Sequence, residues 1–98
     1  MTIAHVYYIT QAPPNPMIKT YIEMQMDVLS QYSESPSMNE VHLRKENGAY
    51  CVLIRFICAD FTEESFSSSW SPYKAIELAT VSLREQLMQR AYNRYRYA

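Results

Sequence analysis

From Pro16 onward, the hydrophobic spacing of this chain changes from helical to alternating and back to helical, and this change of period restricts the folds it can adopt. Each helical segment starts with a polar residue followed by proline, at Asn15-Pro16 and at Ser71-Pro72. The polar residue can cap free backbone amides, and proline suits the first helical position. A chain of 98 residues can bury one modest core, so the helices and the strands between them must share it.

The first third of the chain predicts a strand followed by a helix. Residues from Ile3 to Thr10 are rich in β-branched and aromatic side chains, which is typical of a strand. From Pro16 to Tyr32, apolar residues recur at three- and four-residue steps. A methionine stripe can form an adaptable binding surface, but we expect core packing for the three that widen this helical face. They are Met17, Met24 and Met26.

Three strand candidates follow this helix. Glu40 to Arg44 alternates between polar and apolar residues. The next four residues, Lys45 to Gly48, are predicted as a turn, because Asn47-Gly48 is a strong hairpin signal. Tyr50 to Ala59 is the longest β-prone run, with an apolar even-numbered face. Ser65 to Trp70 is the third candidate, although serine is a poor strand former.

A long second helix begins after Ser71 and runs at least to Ala91. The resulting order is β-α-β-β-β-α. We therefore predict a single α+β domain over residues 1–98, with a four-stranded sheet and both helices packed on one face. The pattern leaves open whether the tail from about residue 92 stays helical to Tyr97 or is flexible.

The charge distribution restricts the functions available to the chain. Its net charge is −1, so any nucleic-acid contact must come from a local basic patch. Arginine can pair with phosphate in a planar fork, and tyrosine can stack on unpaired bases. Alternatively, arginines in a last helical turn complement the helix dipole while the tyrosines pack on the sheet. These residues alternate at the end of the chain: Arg90, Tyr92, Arg94, Tyr95, Arg96 and Tyr97.

Other classes of site have little support in the sequence. Cys51 and Cys58 stand on opposite faces of one strand candidate, too far apart for a disulfide, so we expect free thiols in a reducing cytosol. No segment approaches the length of a membrane span, and we expect a soluble, cytoplasmic protein. His5 and His42 lack companions at metal-ligand spacing. We find no nucleophile or dinucleotide motif, so we expect no metal, no cofactor and no enzymatic activity.

The second helix opens with Ser71-Pro-Tyr-Lys-Ala-Ile76 and continues with Leu83-Arg-Glu-Gln-Leu87. With the element order, these residues resemble the ribosome hibernation promoting factors, also called the sigma-54 modulation or ribosome-associated inhibitor family. In place of Ser71 to Ile76, members of the family typically have an aspartate, an apolar residue, a tyrosine, any residue and Ala-Ile. In place of Leu83 to Leu87, they have Leu-x-x-Gln-Leu. Asn15-Pro16 stands where the family often has Thr-Pro. The resemblance covers nearly the whole chain.

The resemblance implies a non-enzymatic factor that binds the small ribosomal subunit, occupies the transfer RNA and messenger RNA channel, and silences translation under stress. Two parallel helices would present basic side chains to rRNA phosphates. This chain is instead neutral or acidic at several such positions: Gln25, Val28, Gln31, Ser82, Glu85 and Gln89. The candidate RNA-binding residues that remain are Lys19, Lys74, Arg84, Arg90, Arg94 and Arg96, with Tyr92 and Tyr95. Arg44 and Lys45 in the hairpin either extend this patch or are solvated.

An alternative function follows from the sheet face that the helices leave open. Its candidate interface residues are Cys51, Leu53, Arg55 and Ile57 on the odd-numbered face of the long strand, joined by Trp70. Exposed apolar surface of this kind often marks a protein interface. The chain would then be a diverged family member that binds a protein partner or dimerises without binding rRNA, unless the tail, the Pro13-Pro14 segment or the tyrosines cover the face.

Overall fold

The computed structural model describes residues 5–10, 14–32 and 37–96, with only the backbone described for residues 94–96. The predicted element order is confirmed, and the final helix continues past Ala91. Tyr97, the last residue of the predicted tail, lies outside the described residues. The elements are strand β1 His5–Ile9, helix α1 Pro16–Leu29 with a 3-10 turn at Ser30–Tyr32, strands β2 Met38–Glu46, β3 Ala49–Ile57 and β4 Thr62–Ser69, and helix α2 Pro72–Arg96.

The four strands form one sheet in the order β1-β2-β3-β4. β1 pairs with β2 in parallel, and the other two pairings are antiparallel. β1, β2 and β4 therefore point the same way, while α1 runs back from the end of β1 and α2 runs back from the end of β4. The two helices are consequently parallel to each other, and both lie on one face of the sheet, as predicted.

Both helices begin at the predicted caps. The Oδ1 atom of Asn15 accepts a hydrogen bond from the backbone amide of Ile18 at 2.9 Å. The Oγ atom of Ser71 accepts a longer one from the amide of Lys74, at 3.4 Å. These bonds satisfy amides that have no partner inside the helix, so each helix start is determined locally.

The β2–β3 hairpin is longer than predicted because its turn needs only two residues. Asn47 and Gly48 both have positive φ, 51° and 85°, as a two-residue primed turn requires. Glu46 therefore already pairs with Ala49, and β2 extends over Met38–Glu46. A Cβ atom on Gly48 would lie 3.1 Å from the Trp70 ring, so the absence of a side chain there also makes room for the indole.

The core lies between the helices and the sheet. The even-numbered residues of β3 are buried as predicted, with Val52, Ile54 and Phe56 at 0 % exposure. The helices cover them with fully or almost fully buried residues at helical spacing: Ile22, Met26 and Leu29 on α1, and Ala75, Ile76, Ala79, Leu83 and Leu87 on α2.

The prediction that all three α1 methionines lie in the core is wrong for two of them. Met26 is fully buried, whereas Met17 is 73 % exposed and Met24 is 60 % exposed. Ile18 and Ile22 already supply the inward stripe at a four-residue step. Residues at one or two positions from that stripe are rotated by about 100° or 200°, which turns Met17 and Met24 toward solvent.

The serines of β4, the least favourable strand candidate, bond to α2. The Ser65 hydroxyl donates to the backbone carbonyl of Ala79 at 2.7 Å, and the Ser67 hydroxyl donates to the carbonyl of Ala75. Ala75 and Ala79 are themselves buried. Small side chains on both elements let the helix approach the strand closely enough for these bonds, so tertiary contacts override the low strand propensity of serine.

Candidate functional site

Three of the predicted RNA-binding cations lie on the solvent side of the helix layer. They are Lys19, Lys74 and Arg84, and all three are exposed. Lys74 forms an ion pair with Glu77 on the same helix at 3.7 Å. Among the cations on the two helices whose side chains the structure describes, Lys19 and Arg84 have no carboxylate at ion-pair distance. These two are available to an anionic partner.

Arg90 is held by protein groups. Its Nη2 and Nε atoms donate to Oε1 of Glu63 at 2.6 and 3.1 Å. Its guanidinium carbon also lies 4.2 Å from the centre of the Phe61 ring. These contacts attach α2 to the beginning of β4, so the described position of Arg90 gives it a structural role beside the predicted RNA contact.

The last turns of α2 extend beyond the sheet. The helix has 25 residues, which corresponds to a length of about 37 Å, whereas strands of nine residues span about 30 Å. Because α2 starts at the hairpin end of the sheet and Arg90 meets the opposite end, the turns after Arg90 continue past the strands. Tyr92 is 61 % exposed there. The side chains of Arg94, Tyr95 and Arg96 lie outside the described residues.

The hairpin cations lie at the other end of the sheet from this arginine run. Arg44 pairs with Glu46 at 3.3 Å, and the Lys45 ammonium lies 5.1 Å from the centre of the Tyr50 ring. This position is remote from the arginine run at the end of α2, and the contacts of both side chains favour the prediction of a solvated hairpin.

Two tyrosines, Tyr8 on β1 and Tyr21 on α1, have raised pKa values. The Tyr8 hydroxyl donates to the Glu23 carboxylate at 3.5 Å, and burial together with this negative charge raises the pKa of Tyr8 to about 12. Burial, with a smaller effect of Glu77, also raises the pKa of Tyr21. Both phenols are neutral hydrogen-bond donors at physiological pH, and Tyr21 packs edge-on against Tyr73 with 5.4 Å between ring centres.

The sheet face opposite the helices is rich in exposed apolar side chains. We call it the open sheet face and define it by the outward residues of each strand. Large side chains on it are strongly exposed, including Tyr7 at 50 %, Ile9 at 48 % and Phe66 at 61 %. The full set is His5, Tyr7 and Ile9 of β1, Met38, Glu40, His42, Arg44 and Glu46 of β2, Cys51, Leu53, Arg55 and Ile57 of β3, and Thr62, Glu64, Phe66 and Ser68 of β4.

The predicted interface residues are found on or beside this face. Leu53, Arg55 and Ile57 are partly exposed on it, whereas Cys51 is only 9 % exposed. Trp70 follows β4, is 76 % exposed, and lies against Gly48. Four further members were not predicted from the sequence: Tyr7, Ile9, Met38 and Phe66. Only the strand register brings these residues onto the same sheet face as the outward residues of β3. The alternation of Tyr7 and Ile9 was the one available signal.

The register places one charged row across the open sheet face. Tyr7, Glu40, Arg55 and Glu64 are consecutive cross-strand partners. Arg55 lies 3.5 Å from Oε1 of Glu40 through Nη1 and 3.3 Å from Oε2 of Glu64 through Nε. An arginine between two carboxylates interrupts the apolar surface at a defined position, which gives the face a charge pattern.

The described residues contain no group of three or more His, Cys, Asp or Glu side chains arranged to hold a metal ion. Cys51 and Cys58 are not joined by a disulfide bond. Neither helix is long and apolar enough to cross a membrane over the range that the structure describes.

No protein-family model and no curated protein sequence matches the chain. Its structure is similar to the N-terminal domain of protein Y from Thermus thermophilus, with a TM-score of 0.76 and 19 % identity over 91 % of this chain and 98 % of that one. A ribosomal subunit interface protein from Coxiella burnetii gives the same TM-score, with 16 % identity over 90 % of this chain and 98 % of that one. The chain therefore has the fold of these proteins, the fold that its resemblance to the ribosome hibernation factors predicted.

Proposed function

We propose that this protein is a cytoplasmic, non-enzymatic factor that binds the small ribosomal subunit through rRNA and silences translation under stress. The observation that carries the proposal is the fold similarity. It covers about nine tenths of the chain and includes a ribosomal subunit interface protein. The sequence motifs at the start of α2 support it independently.

The C-terminal turns of α2 are the main contact in this proposal. Arg94 and Arg96 follow Arg90 on turns that continue beyond the sheet, where a backbone phosphate can approach without a clash with the strands. Arginine forms planar, paired hydrogen bonds with phosphate, and Tyr92 and Tyr95 would stack on unpaired bases. Lys19, Lys74 and Arg84 on the helix layer would add single phosphate contacts.

The charge balance of the helix layer determines how such binding should behave. Between Arg84 and Arg96, α2 carries four arginines and one glutamate, whereas α1 carries Lys19 with Glu23 and Asp27. Each phosphate contact makes a salt-dependent contribution to affinity. We therefore expect binding that depends strongly on the end of α2, with carboxylates on α1 opposing close approach of RNA.

Co-sedimentation with purified small ribosomal subunits at low and moderate salt tests the proposal. We expect wild-type protein to pellet at low salt and less at moderate salt, and an Arg94→Ala/Arg96→Ala variant to be lost from the pellet. An Arg44→Ala/Lys45→Ala variant is the matched control, because it removes the same charge at the opposite end of the sheet. Arg90 is left in place because its pairing with Glu63 supports the fold.

Two results would contradict the proposal. Wild-type protein that stays in the supernatant at both salt concentrations would exclude ribosome binding. Equal pelleting of the wild-type protein and the Arg94→Ala/Arg96→Ala variant would exclude the end of α2 as the contact. Translation silencing has its own assay: protein that pellets should reduce the yield of a cell-free translation reaction, and the double variant should not.

The alternative function, a protein-interaction or dimerisation module without rRNA binding, is favoured by one specific observation. Five large apolar residues on or beside the open sheet face are more than two fifths exposed: Tyr7, Ile9, Met38, Phe66 and Trp70. Exposed apolar surface of this extent is typical of interfaces.

A further inference from the structure

We propose that the open sheet face is the interface of a homodimer, in which two copies pack face to face about a two-fold axis that runs between β2 and β3, roughly parallel to the strands. This inference is independent of ribosome binding, because the proposed RNA contacts lie on the helix layer and at the end of α2. Its support comes from the exposed apolar residues, the charge pattern and the size of the face.

The apolar part of the face has the composition of an interface. Its centre is a cross-strand row of Ile9, His42, Leu53 and Phe66, and a second row contains Met38 and Ile57. Phe66 is 61 % exposed, and Ile9 is 48 % exposed. Aromatic side chains and methionine are enriched in the centres of protein interfaces, where their burial contributes most of the affinity.

The charged row is complementary to itself under the proposed axis. The rotation reverses the order of residues across each row, so β1 of one copy lies over β4 of the other and β2 lies over β3. Glu40 of each copy then faces Arg55 of the other, and Tyr7 faces Glu64. In the central row, Ile9 faces Phe66. No like charges meet, which is the pattern an isologous interface requires.

A two-fold axis across the strands fits this pattern less well. It would place each strand over itself and exchange neighbouring rows, so Arg55 would face Leu53 of the other copy and Glu64 would face Phe66. Each of those contacts would bury a charge against an apolar side chain, which is unfavourable without a partner. The charge pattern therefore selects the axis parallel to the strands, which is also the aligned packing usual for two sheets.

The face is large enough for a stable dimer. Four strands about 4.8 Å apart, with about eight residues rising about 3.3 Å each, give a flat area of roughly 500 Å². The side chains make the accessible area larger than this flat value, so two copies would bury more than roughly 1,000 Å², the size a specific interface needs.

Analytical ultracentrifugation over a range of protein concentrations tests the dimer and its location. We expect a concentration-dependent dimer for the wild type and, for Phe66→Glu, an increase of about tenfold or more in the dissociation constant. Met24→Glu is the matched control, because Met24 is 60 % exposed on α1 and Phe66 is 61 % exposed on β4. It should dimerise like the wild type.

A mixing experiment tests the register of the two copies. Glu40→Arg and Arg55→Glu each place like charges opposite each other in a homodimer, so each variant alone should be monomeric at concentrations where the wild type is dimeric. In an equimolar mixture, a dimer with one copy of each variant has an arginine opposite a glutamate at both contacts. We therefore expect the mixture to sediment as a dimer. The ion pair between residues 40 and 55 of the same chain cannot restore the dimer, since each variant lacks that pair.

Each contrary result would overturn a defined part of the proposal. A wild-type protein that stays monomeric at every concentration would exclude the dimer. A dimer weakened equally by Phe66→Glu and Met24→Glu, or by neither, would exclude this face. A mixture that stays monomeric would exclude the axis. Circular dichroism establishes that each variant is folded, and the Phe66→Glu comparison remains decisive if a charge-reversal variant does not fold.

Discussion

At the scale of single residues, polar side chains in this protein join elements that are distant in the sequence. The Tyr8 hydroxyl on β1 reaches the Glu23 carboxylate on α1, and the side-chain amide of Asn39 on β2 donates to the backbone carbonyl of His5 on β1 at 3.3 Å. Asn39 is completely buried. Such bonds cannot be read from periodicity, because the two partners belong to different elements.

The raised pKa of Tyr8 predicts a loss of stability at alkaline pH. Its pKa in the folded protein is about 12, above the ordinary value of 10.0. The protonated phenol therefore stabilises the fold fully below about pH 10, and this contribution is lost as the pH rises toward 12. We expect the difference in the free energy of unfolding between the wild type and Tyr8→Phe to shrink over this range.

Urea denaturation at pH values between 8 and about 11.5 measures this difference. Tyr7 lies on the exposed face of the same strand, so Tyr7→Phe is the control. It shows how much of the pH-dependent change in the free energy of unfolding comes simply from removing one phenol hydroxyl. A difference between the wild type and Tyr8→Phe that is constant across the range would show that folding does not raise the pKa of Tyr8.

At the scale of elements, the position of α2 depends on the small residues of β4. Ser65 and Ser67 bond to carbonyls of the helix, and Arg90 bonds to Glu63 at the other end of the strand. β4 and α2 are consecutive elements, and these contacts hold the helix against the strand that precedes it. They also explain why a serine-rich segment remains a strand: its hydroxyls replace the apolar face that the other strands present.

This contact predicts that one serine of β4 matters for stability and its neighbour on the opposite face does not. Ser65→Ala removes the bond to the Ala79 carbonyl and should lower the free energy of unfolding by about 1 kcal/mol. Ser68→Ala, the same change at an exposed position of the same strand, should have almost no effect. Urea denaturation of the two variants beside the wild type makes the comparison. Equal effects would mean that Ser65 does not anchor the helix.

At the scale of the whole molecule, the sheet separates two surfaces of different character. The helix layer and the projecting end of α2 carry the free cations and the arginine run, whereas the open sheet face carries the apolar rows. A dimer formed through the open sheet face would leave both helix layers accessible. Ribosome binding and self-association are therefore compatible in one assembly.

This arrangement predicts that the two activities can be removed separately. Arg94→Ala/Arg96→Ala should abolish pelleting with small ribosomal subunits and leave the dimer dissociation constant unchanged. Phe66→Glu should weaken the dimer and leave the pelleting of the monomer intact at low salt. Measuring both properties on both variants completes the test. A variant that loses both while remaining folded would indicate that the two surfaces depend on each other.

Much of the fold was predictable from local signals. The caps at Asn15 and Ser71, the Asn47-Gly48 turn and the apolar periodicity of each element act over four or fewer residues. These signals predicted the element order, both helix starts and the buried face of β3. The exposed positions of Met17 and Met24 were not predictable, because hydrophobicity alone does not show which side of a wide apolar helix meets the sheet.

The sequence by itself determined the order of the elements, the location of each helix start and the arginine run at the end of the chain, because these properties depend on neighbouring residues. The tertiary structure decided which side chains contact each other. In the folded protein, Arg90 contacts Glu63 and Phe61, and the hairpin cations lie at the other end of the sheet. Strand pairing also aligns four residues in one row across the sheet: Ile9, His42, Leu53 and Phe66. Strand register joins residues that are far apart in the chain, and it becomes determined only when the helices and the sheet bury a common core.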